Sequence, residues 1–260
     1  MRTVISLAAA LLACALASHA QITTKFSVLT DGTEEVIVRN NSPVGLMAFV
    51  VTVNQLPQVG SSPFVLYSDP LIDREVKPLL PGEERVAMMM NRIDRTGKHL
   101  RVLADPIAAA GVFADGTTTG DAALLTRLIL RRSNMLFAVE TALETLSDAG
   151  RRNQPKDQLV QQFRKMADSL DRGYLPPEQR IGRSLYVSIA EKLGALPDPQ
   201  LGSAFPPASF IDQETAPLRQ QRVALLESQP SLIDATPIEH GMPPQRALRA
   251  APPPTSTKHE

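Results

Sequence analysis

The chain has 260 residues, in which 27 lysines and arginines balance 27 aspartates and glutamates, and it has no tryptophan. This composition argues against nucleic-acid binding, which needs a clustered positive surface with interleaved aromatic residues. Beyond the N-terminal segment no stretch is long and apolar enough to span a membrane, and the length predicts one or two domains.

Residues 1–20 have the pattern of a secretory signal peptide. Arg2 provides a short positive region, residues 4–17 are almost all apolar, and Ser18 and Ala20 put small residues before a cut at Gln21. The apolar run is shorter than the about 20 residues that a membrane-spanning helix needs. The sequence therefore predicts export to the periplasm or the extracellular space, with cleavage after Ala20.

Cys14 supports an alternative interpretation of the same segment. Residues 11–13, Leu-Leu-Ala, precede it and resemble the lipobox of bacterial lipoproteins, although Leu12 stands where that pattern prefers a small residue. Lipidation at Cys14 would make the protein a lipid-anchored envelope subunit. Cys14 is the sole cysteine of the sequence, so cleavage after Ala20 would leave a mature chain with no cysteine to form a disulfide.

Residues 22–113 have the pattern of short β-strands separated by turns. Asp31-Gly32 lies between two apolar runs, which is typical of a hairpin because both turn residues tolerate positive φ. The continuous apolar run 45–53 predicts a central strand that is buried on both faces. Residues 81–90 predict a turn followed by a strand, and residues 98–113 predict two strands with an interruption at Pro106.

Three stretches resemble immunoglobulin-like β-sandwich domains of uncharacterised secreted bacterial proteins. They are EVIVRNNSPVGLMAFVVTV (35–53), LLPGEERVAM (79–88) and GVFADGTTTGD (111–121). The resemblance covers residues 22–121 and implies a sandwich in an exported protein, without an activity. The predicted organisation is thus α+β, with an antiparallel immunoglobulin-like sandwich over residues 21–121.

Residues 111–121 contain acidic and hydroxyl side chains at alternating positions: Asp115, Thr117, Thr119 and Asp121. A calcium ion prefers six to eight oxygen ligands, so these four would form a sparse cation site. We interpret the stretch as a turn at Asp115-Gly116, a short extended piece, and a helix cap at Asp121. The calcium site is the alternative.

After Asp121 the apolar period becomes helical. Leucines and other apolar residues recur every three or four positions over 122–149, 155–172 and 177–193, each followed by a glycine, and a shorter helix is predicted over about 217–228. The helical region is assigned to residues 122–230. The proline-rich residues 231–260 lack periodicity and are predicted to be disordered.

The predicted folded regions show no pattern typical of a catalytic or metal site, so no catalytic, cofactor-binding or metal-binding residue is assigned. Of the four histidines only His99 lies in these regions, and Ser184 in Gly-Arg-Ser lacks the second glycine of a nucleophile elbow. The adjacent methionines 88–90 would alternate between the two faces of a strand, which favours core packing over copper binding.

Five arginines lie on or just after the first predicted helix: Arg127, Arg131, Arg132, Arg151 and Arg152. They suit an acidic partner or lipid head groups. We favour a solvated helix face, compensated by Glu140, Glu144 and Asp148 on the same helix.

The predicted function is that of an exported, non-enzymatic structural or protein-interaction module of the bacterial envelope, without a cofactor. Its helical region is expected either to contact a protein partner or to pack on the sandwich. One alternative is a hydrolase of envelope glycans, whose two carboxylates come from separate loops and need no sequence motif. The other is the lipid-anchored subunit.

Mass spectrometry of the mature protein distinguishes the two N-termini. We expect the mature chain to begin at Gln21, because the small residues at Ser18 and Ala20 suit signal-peptide cleavage. A Cys14→Ser variant should then give the same mature mass as the unaltered chain. A diacylglyceryl group on Cys14 would contradict the predicted cut.

Overall fold

A computed structural model describes residues 20–57, 62–171, 173, 175–198 and 205–228. The predicted signal peptide up to His19, with Cys14, and the predicted tail 231–260 lie outside these ranges. None of the helices in the described ranges has both the length and the apolar character needed to cross a bilayer.

The N-terminal part of the described chain forms two antiparallel sheets, and the strands are β1 (Ile22–Val28), β2 (Glu34–Asn40), β3 (Leu46–Gln55), β4 (Phe64–Ser68), β5 (Glu84–Met90), β6 (Leu103–Phe113) and β7 (Thr118–Gly120). One sheet has the order β1-β2-β5 and the other the order β4-β3-β6-β7. The predicted hairpin between β1 and β2 is present: Gly32 has φ +81°, and the Asp31 carboxylate accepts a 2.9 Å hydrogen bond from the Thr33 amide.

The C-terminal part is helical, with α1 (Ala122–Arg152), α2 (Lys156–Leu170), α3 (Arg183–Ala195) and α4 (Ala208–Glu227), and a 3-10 turn at Pro177–Gln179. Sheets followed by helices confirm the predicted α+β organisation. Apolar side chains of all four helices share one core. The helices therefore bury their predicted apolar stripes largely against one another.

Strand β3 is buried on both faces, as its apolar run predicts. Its inward side chains, Phe49, Val51 and Val53, form a core with both sheets. On the opposite face, Ala48 and Val50 pack with residues of β6 and with Leu124 and Leu128 of α1. The first turns of α1 therefore cover the outer face of the sheet.

The expected interruption at Pro106 is wrong: β6 runs without a break from Leu103 to Phe113. Its register with β3 shifts between Thr52 and Val53, opposite Pro106, and a proline is tolerated in a strand at such an irregularity. Strand β7 pairs only with Ala110–Val112 of β6, so no ladder bond to β7 is needed from the nitrogen of Pro106.

Several predicted helix boundaries also differ from the structure. Helix α1 does not end before Gly150 but continues to Arg152. It ends at Asn153, which takes the left-handed conformation with φ 46°. A side chain at Gly150 would overlap Ile211 of α4, so this glycine permits close packing of the two helices. Helix α3 begins only at Arg183, after the 3-10 turn. Helix α4 begins at Ala208 and contains Pro217, the residue predicted to start it.

Residues 111–121 link the sheets to the helices in the predicted way. The backbone turns at Gly116, which has φ +82°, and the Asp115 carboxylate accepts hydrogen bonds from the Thr117 amide and hydroxyl. Asp121 is the N-cap of α1, and its carboxylate accepts a 2.9 Å hydrogen bond from the Leu124 amide. This cap satisfies one of the free amides at the start of the helix.

Two glycines of this link provide a matched test. Gly116 and Gly120 both have positive φ, but only at Gly120 would a methyl group overlap backbone, at the Ala109 carbonyl. Gly116→Ala should cost about 1–2 kcal/mol of unfolding free energy for its left-handed backbone. Gly120→Ala should cost about 1–3 kcal/mol more, because of the overlap. Urea unfolding measures both, and equal losses would show that the link relaxes freely.

Candidate functional site

The residues considered as candidates from the sequence lie in three different segments: the link 111–121, the loop before β6, and α3. Asp115 and Asp121 bond to their own neighbouring backbone, as described above. His99 is exposed, with a ring nitrogen 3.0 Å from the Asn91 side-chain oxygen. Ser184 lies in the first turn of α3 rather than in mid-helix. In the described part of the chain, no group of three His, Cys, Asp or Glu side chains is placed to hold a metal ion.

The alternation predicted for methionines 88–90 is present in β5. Met88 and Met90 are partly buried and pack on the core between the sheets, whereas Met89 is 61% exposed. The three sulfur atoms therefore do not converge on one face of the strand.

The interpretation of the α1 arginines as a solvated face is wrong for three of them. Arg127, Arg131 and Arg132 contact groups of β4, of the segment after β4, and of the 3-10 turn. We call this set the polar joint, and it consists of Tyr67, Asp69, Arg127, Arg131, Arg132 and Glu178. By contrast, Arg151 and Arg152 are exposed and pair with Asp148, in line with the sequence interpretation.

Arg132 and Asp69 form a buried ion pair in the polar joint. Both side chains are 2% exposed, and the guanidinium donates from Nε to Oδ2 at 2.7 Å and from Nη2 to Oδ1 at 3.2 Å. Its Nη1 also donates to the Ser228 carbonyl at 3.0 Å. One arginine of α1 thus bonds both the segment after β4 and the end of α4.

The segment after β4 continues into the helices beyond this ion pair. Asp69 accepts a hydrogen bond from the Leu71 amide, and Leu71 and Ile72 pack on the helical core. Gln221 of α4 donates to the Leu71 carbonyl at 2.7 Å and accepts from Arg74 at 3.0 Å. Polar and apolar contacts together attach this loop to the helices.

Glu178, in the 3-10 turn, accepts hydrogen bonds from side chains of both β4 and α1. Its carboxylate accepts from the Tyr67 hydroxyl and, at 2.6 Å, from Nε of Arg127, and its carbonyl accepts from Asn134. Burial alone would raise the pKa of Glu178, but the bonds from Tyr67, its own backbone and Arg127 hold this pKa below its usual value. Burial and the bond to Glu178 raise the pKa of Tyr67. The carboxylate is therefore ionised and the phenol neutral at pH 7.

Arg131 differs from its two neighbours in the polar joint. Its guanidinium carbon lies 3.9 Å from the centroid of the Tyr67 ring, which is cation–π geometry. Its Nε is buried and has no hydrogen-bond partner among the described residues. Burial lowers the pKa of Arg131, because desolvation disfavours the charged form.

A cleft that shares Tyr67 with the polar joint lies between the edge strands β4 and β5. Its volume is about 410 Å³, and its described lining is Phe49, Leu66, Tyr67, Ser68, Glu75, Val76, Lys77, Arg85, Val86 and Ala87. Glu75 is the one carboxylate in this lining. The hydrolase alternative would require a second carboxylate facing it across the cleft.

No known protein family matches the chain, and no match is found among curated proteins or among solved structures. The immunoglobulin-like resemblance of residues 22–121 therefore stays a resemblance of short motifs.

The sequence did not indicate the acidic partners of the arginines. Asp69 is 63 positions from Arg132, and Glu178 is 51 positions from Arg127. One usable signal was present: Arg127 and Arg131 are four positions apart, as are the apolar Leu124 and Leu128. Residues four positions apart are neighbours on the surface of a helix. Both pairs therefore lie near the side of α1 that faces the sheet.

Replacing Arg132 tests the buried ion pair. Arg132→Met should lower the free energy of unfolding by about 3–5 kcal/mol, because it leaves the Asp69 carboxylate buried and unpaired. The matched control is Arg151→Met on the same helix, whose side chain is 73% exposed and whose loss should cost at most about 1 kcal/mol. Urea unfolding compares the two variants. Equal losses would mean that Asp69 is solvated in the variant.

Proposed function

We propose that this chain is an exported, non-enzymatic module of the bacterial envelope, which binds a protein partner through its helical part. The proposal is supported mainly by an exposed apolar patch on α1 and α4, which we define as Phe137, Val223 and Leu226. These side chains are 70%, 49% and 43% exposed. An exposed aromatic residue grouped with aliphatic ones is typical of protein-binding surfaces.

Helices α1 and α4 pack antiparallel, so the three residues of the apolar patch lie at the same height along the axes of the two helices. Arg132 bonds Ser228 at one end of this stretch, and Arg222 pairs with Glu140 at 2.8 Å a few residues further along. Phe137 lies between 132 and 140, and Val223 and Leu226 lie between 222 and 228. The Arg222–Glu140 pair would supply a charged rim beside the apolar residues, as many interfaces have.

Packing among the described residues does not account for the apolar patch. Other apolar side chains of α1 and α4, such as Leu146 and Leu225, are fully buried in the helical core. The outer apolar face of the sheet around β3 is already covered by the first turns of α1. A partner protein that buried Phe137 would remove a large apolar side chain from water.

The immunoglobulin-like interpretation is part of this proposal. The sheet orders β1-β2-β5 and β4-β3-β6-β7 resemble the strand orders A-B-E and C′-C-F-G of that fold. Strand β4 takes the letter C′ because it pairs with β3 and not with β5. Strands β2 and β5 pair although β3 and β4 lie between them in sequence and belong to the other sheet. This crossing supports a Greek-key sandwich.

Export with cleavage after Ala20 is part of this proposal, and one contact at the start of β1 is compatible with it. The Gln21 carbonyl accepts a 2.8 Å hydrogen bond from the Asn41 amide, which cleavage after Ala20 would keep. Gln21, the first residue after the predicted cut, would thus be held in the folded protein.

Site-specific photo-crosslinking in the producing cells tests the partner. A benzophenone amino acid at Phe137 should give a discrete adduct with another protein, because that position is central to the apolar patch. The matched control is the same group at Met89, which is 61% exposed on β5 and should give none. Adding Val223→Asp should reduce the adduct at least about tenfold, since a charge opposes burial there. Equal crosslinking at both positions, or no adduct at Phe137, would contradict the proposal.

A further inference from the structure

The charges of the polar joint do not balance. Helix α1 supplies three guanidinium groups, and two carboxylates face them within the described residues. Arg132 is paired with Asp69, and Arg127 is paired with Glu178. The positive charge of Arg131 is left without a counter-charge of its own among the described residues.

Folding alone gives little reason for an arginine at position 131. A partly buried cation loses hydration, and its Nε, which has no hydrogen-bond partner among the described residues, adds the cost of an unsatisfied polar group. The contact with the Tyr67 ring offsets part of this cost. A methionine would pack against the same ring without desolvating a charge. Arg131 is therefore better explained by a group that binds it than by stability.

The surroundings of Arg131 suit the recognition of an anion. Contact with the Tyr67 ring restricts the guanidinium, so less freedom is lost when a ligand binds. Arg127 lies one helical turn away, its guanidinium carbon 6.0 Å from the same ring centroid, and Glu178 holds it in place. Two arginines are thus held side by side before any ligand arrives.

We propose that Arg131, with Arg127 beside it, binds a single carboxylate over the Tyr67 ring, such as the acidic side chain of a bound protein. One negative charge would neutralise the one excess positive charge of the polar joint. A carboxylate accepts two parallel N–H groups of a guanidinium, and its single charge equals the excess, whereas a phosphate dianion would overcompensate it. The site does not include the apolar patch, so its failure would leave the proposed partner surface untouched.

A titration of the mature chain tests the ligand class. The probe is N-acetylglutamate amide, which carries one carboxylate, and the matched control ligand is N-acetylglutamine amide, which is neutral. At constant ionic strength, the Nε–H signal of Arg131 in an NMR spectrum should shift saturably with the first ligand only. Followed at the Nε–H signal of Arg127, which every variant keeps, Arg131→Gln should weaken binding at least about tenfold, the effect of one charge-assisted pair, and Arg151→Gln should leave it unchanged. No saturable shift, or equally tight binding of inorganic phosphate, would overturn the proposal.

Unfolding measurements separate a binding role from a structural one. Arg131→Met should keep or raise the midpoint of urea unfolding, because it removes a desolvated charge while keeping a side chain on Tyr67. Its neighbour Arg132→Met should lower that midpoint. If Arg131→Met lowered the midpoint as much as Arg132→Met, Arg131 would be a structural cation and the proposal would be wrong.

Discussion

Strand β3 is apolar on both faces, and the positions of the other elements follow from the need to cover both. The sheet β1-β2-β5 covers one face, and the first turns of α1 cover the other. The chain reaches that second face by a short route, because β7 pairs beside β6 and Asp121 starts α1 directly after it. The burial of Ala48 and Val50 therefore couples the sheets to the helices.

Apolar contact alone leaves the direction of a helix across a sheet poorly defined, and the polar joint restricts it. The Arg132–Asp69 pair needs both groups in one geometry, since either charge left alone in the interior is strongly unfavourable. Glu178 adds a second such requirement, through the Tyr67 hydroxyl and Arg127. Apolar residues of similar size in place of a buried ion pair often give equal or greater stability. We therefore infer that these pairs matter more for the choice of one orientation than for net stability.

Two features of α1 go beyond what packing requires, and they point in different directions. Phe137 and Arg131 are six positions apart, which places them about 120° apart around a helix of 3.6 residues per turn. Phe137 is exposed, whereas Arg131 lies over the Tyr67 ring near the sheet. Under the two proposals, a single long helix would present an apolar surface and a cationic one to separate ligands, while its remaining faces are used by the fold.

The sequence by itself determined the features whose chemistry is complete within a few residues: the hairpin at Asp31-Gly32, the cap at Asp121, the two-sided burial of β3, and the existence of the helices. The tertiary structure decided how β6 passes Pro106, where a register shift opposite β3 accommodates the ring. It also decided that Gly150 lies inside α1, next to the end of the Ile211 side chain of α4. The candidate site was the least predictable part, because the partner of Arg132 lies 63 positions away. A charged side chain carries no local sign of which distant group will neutralise it, and only packing brings the two together.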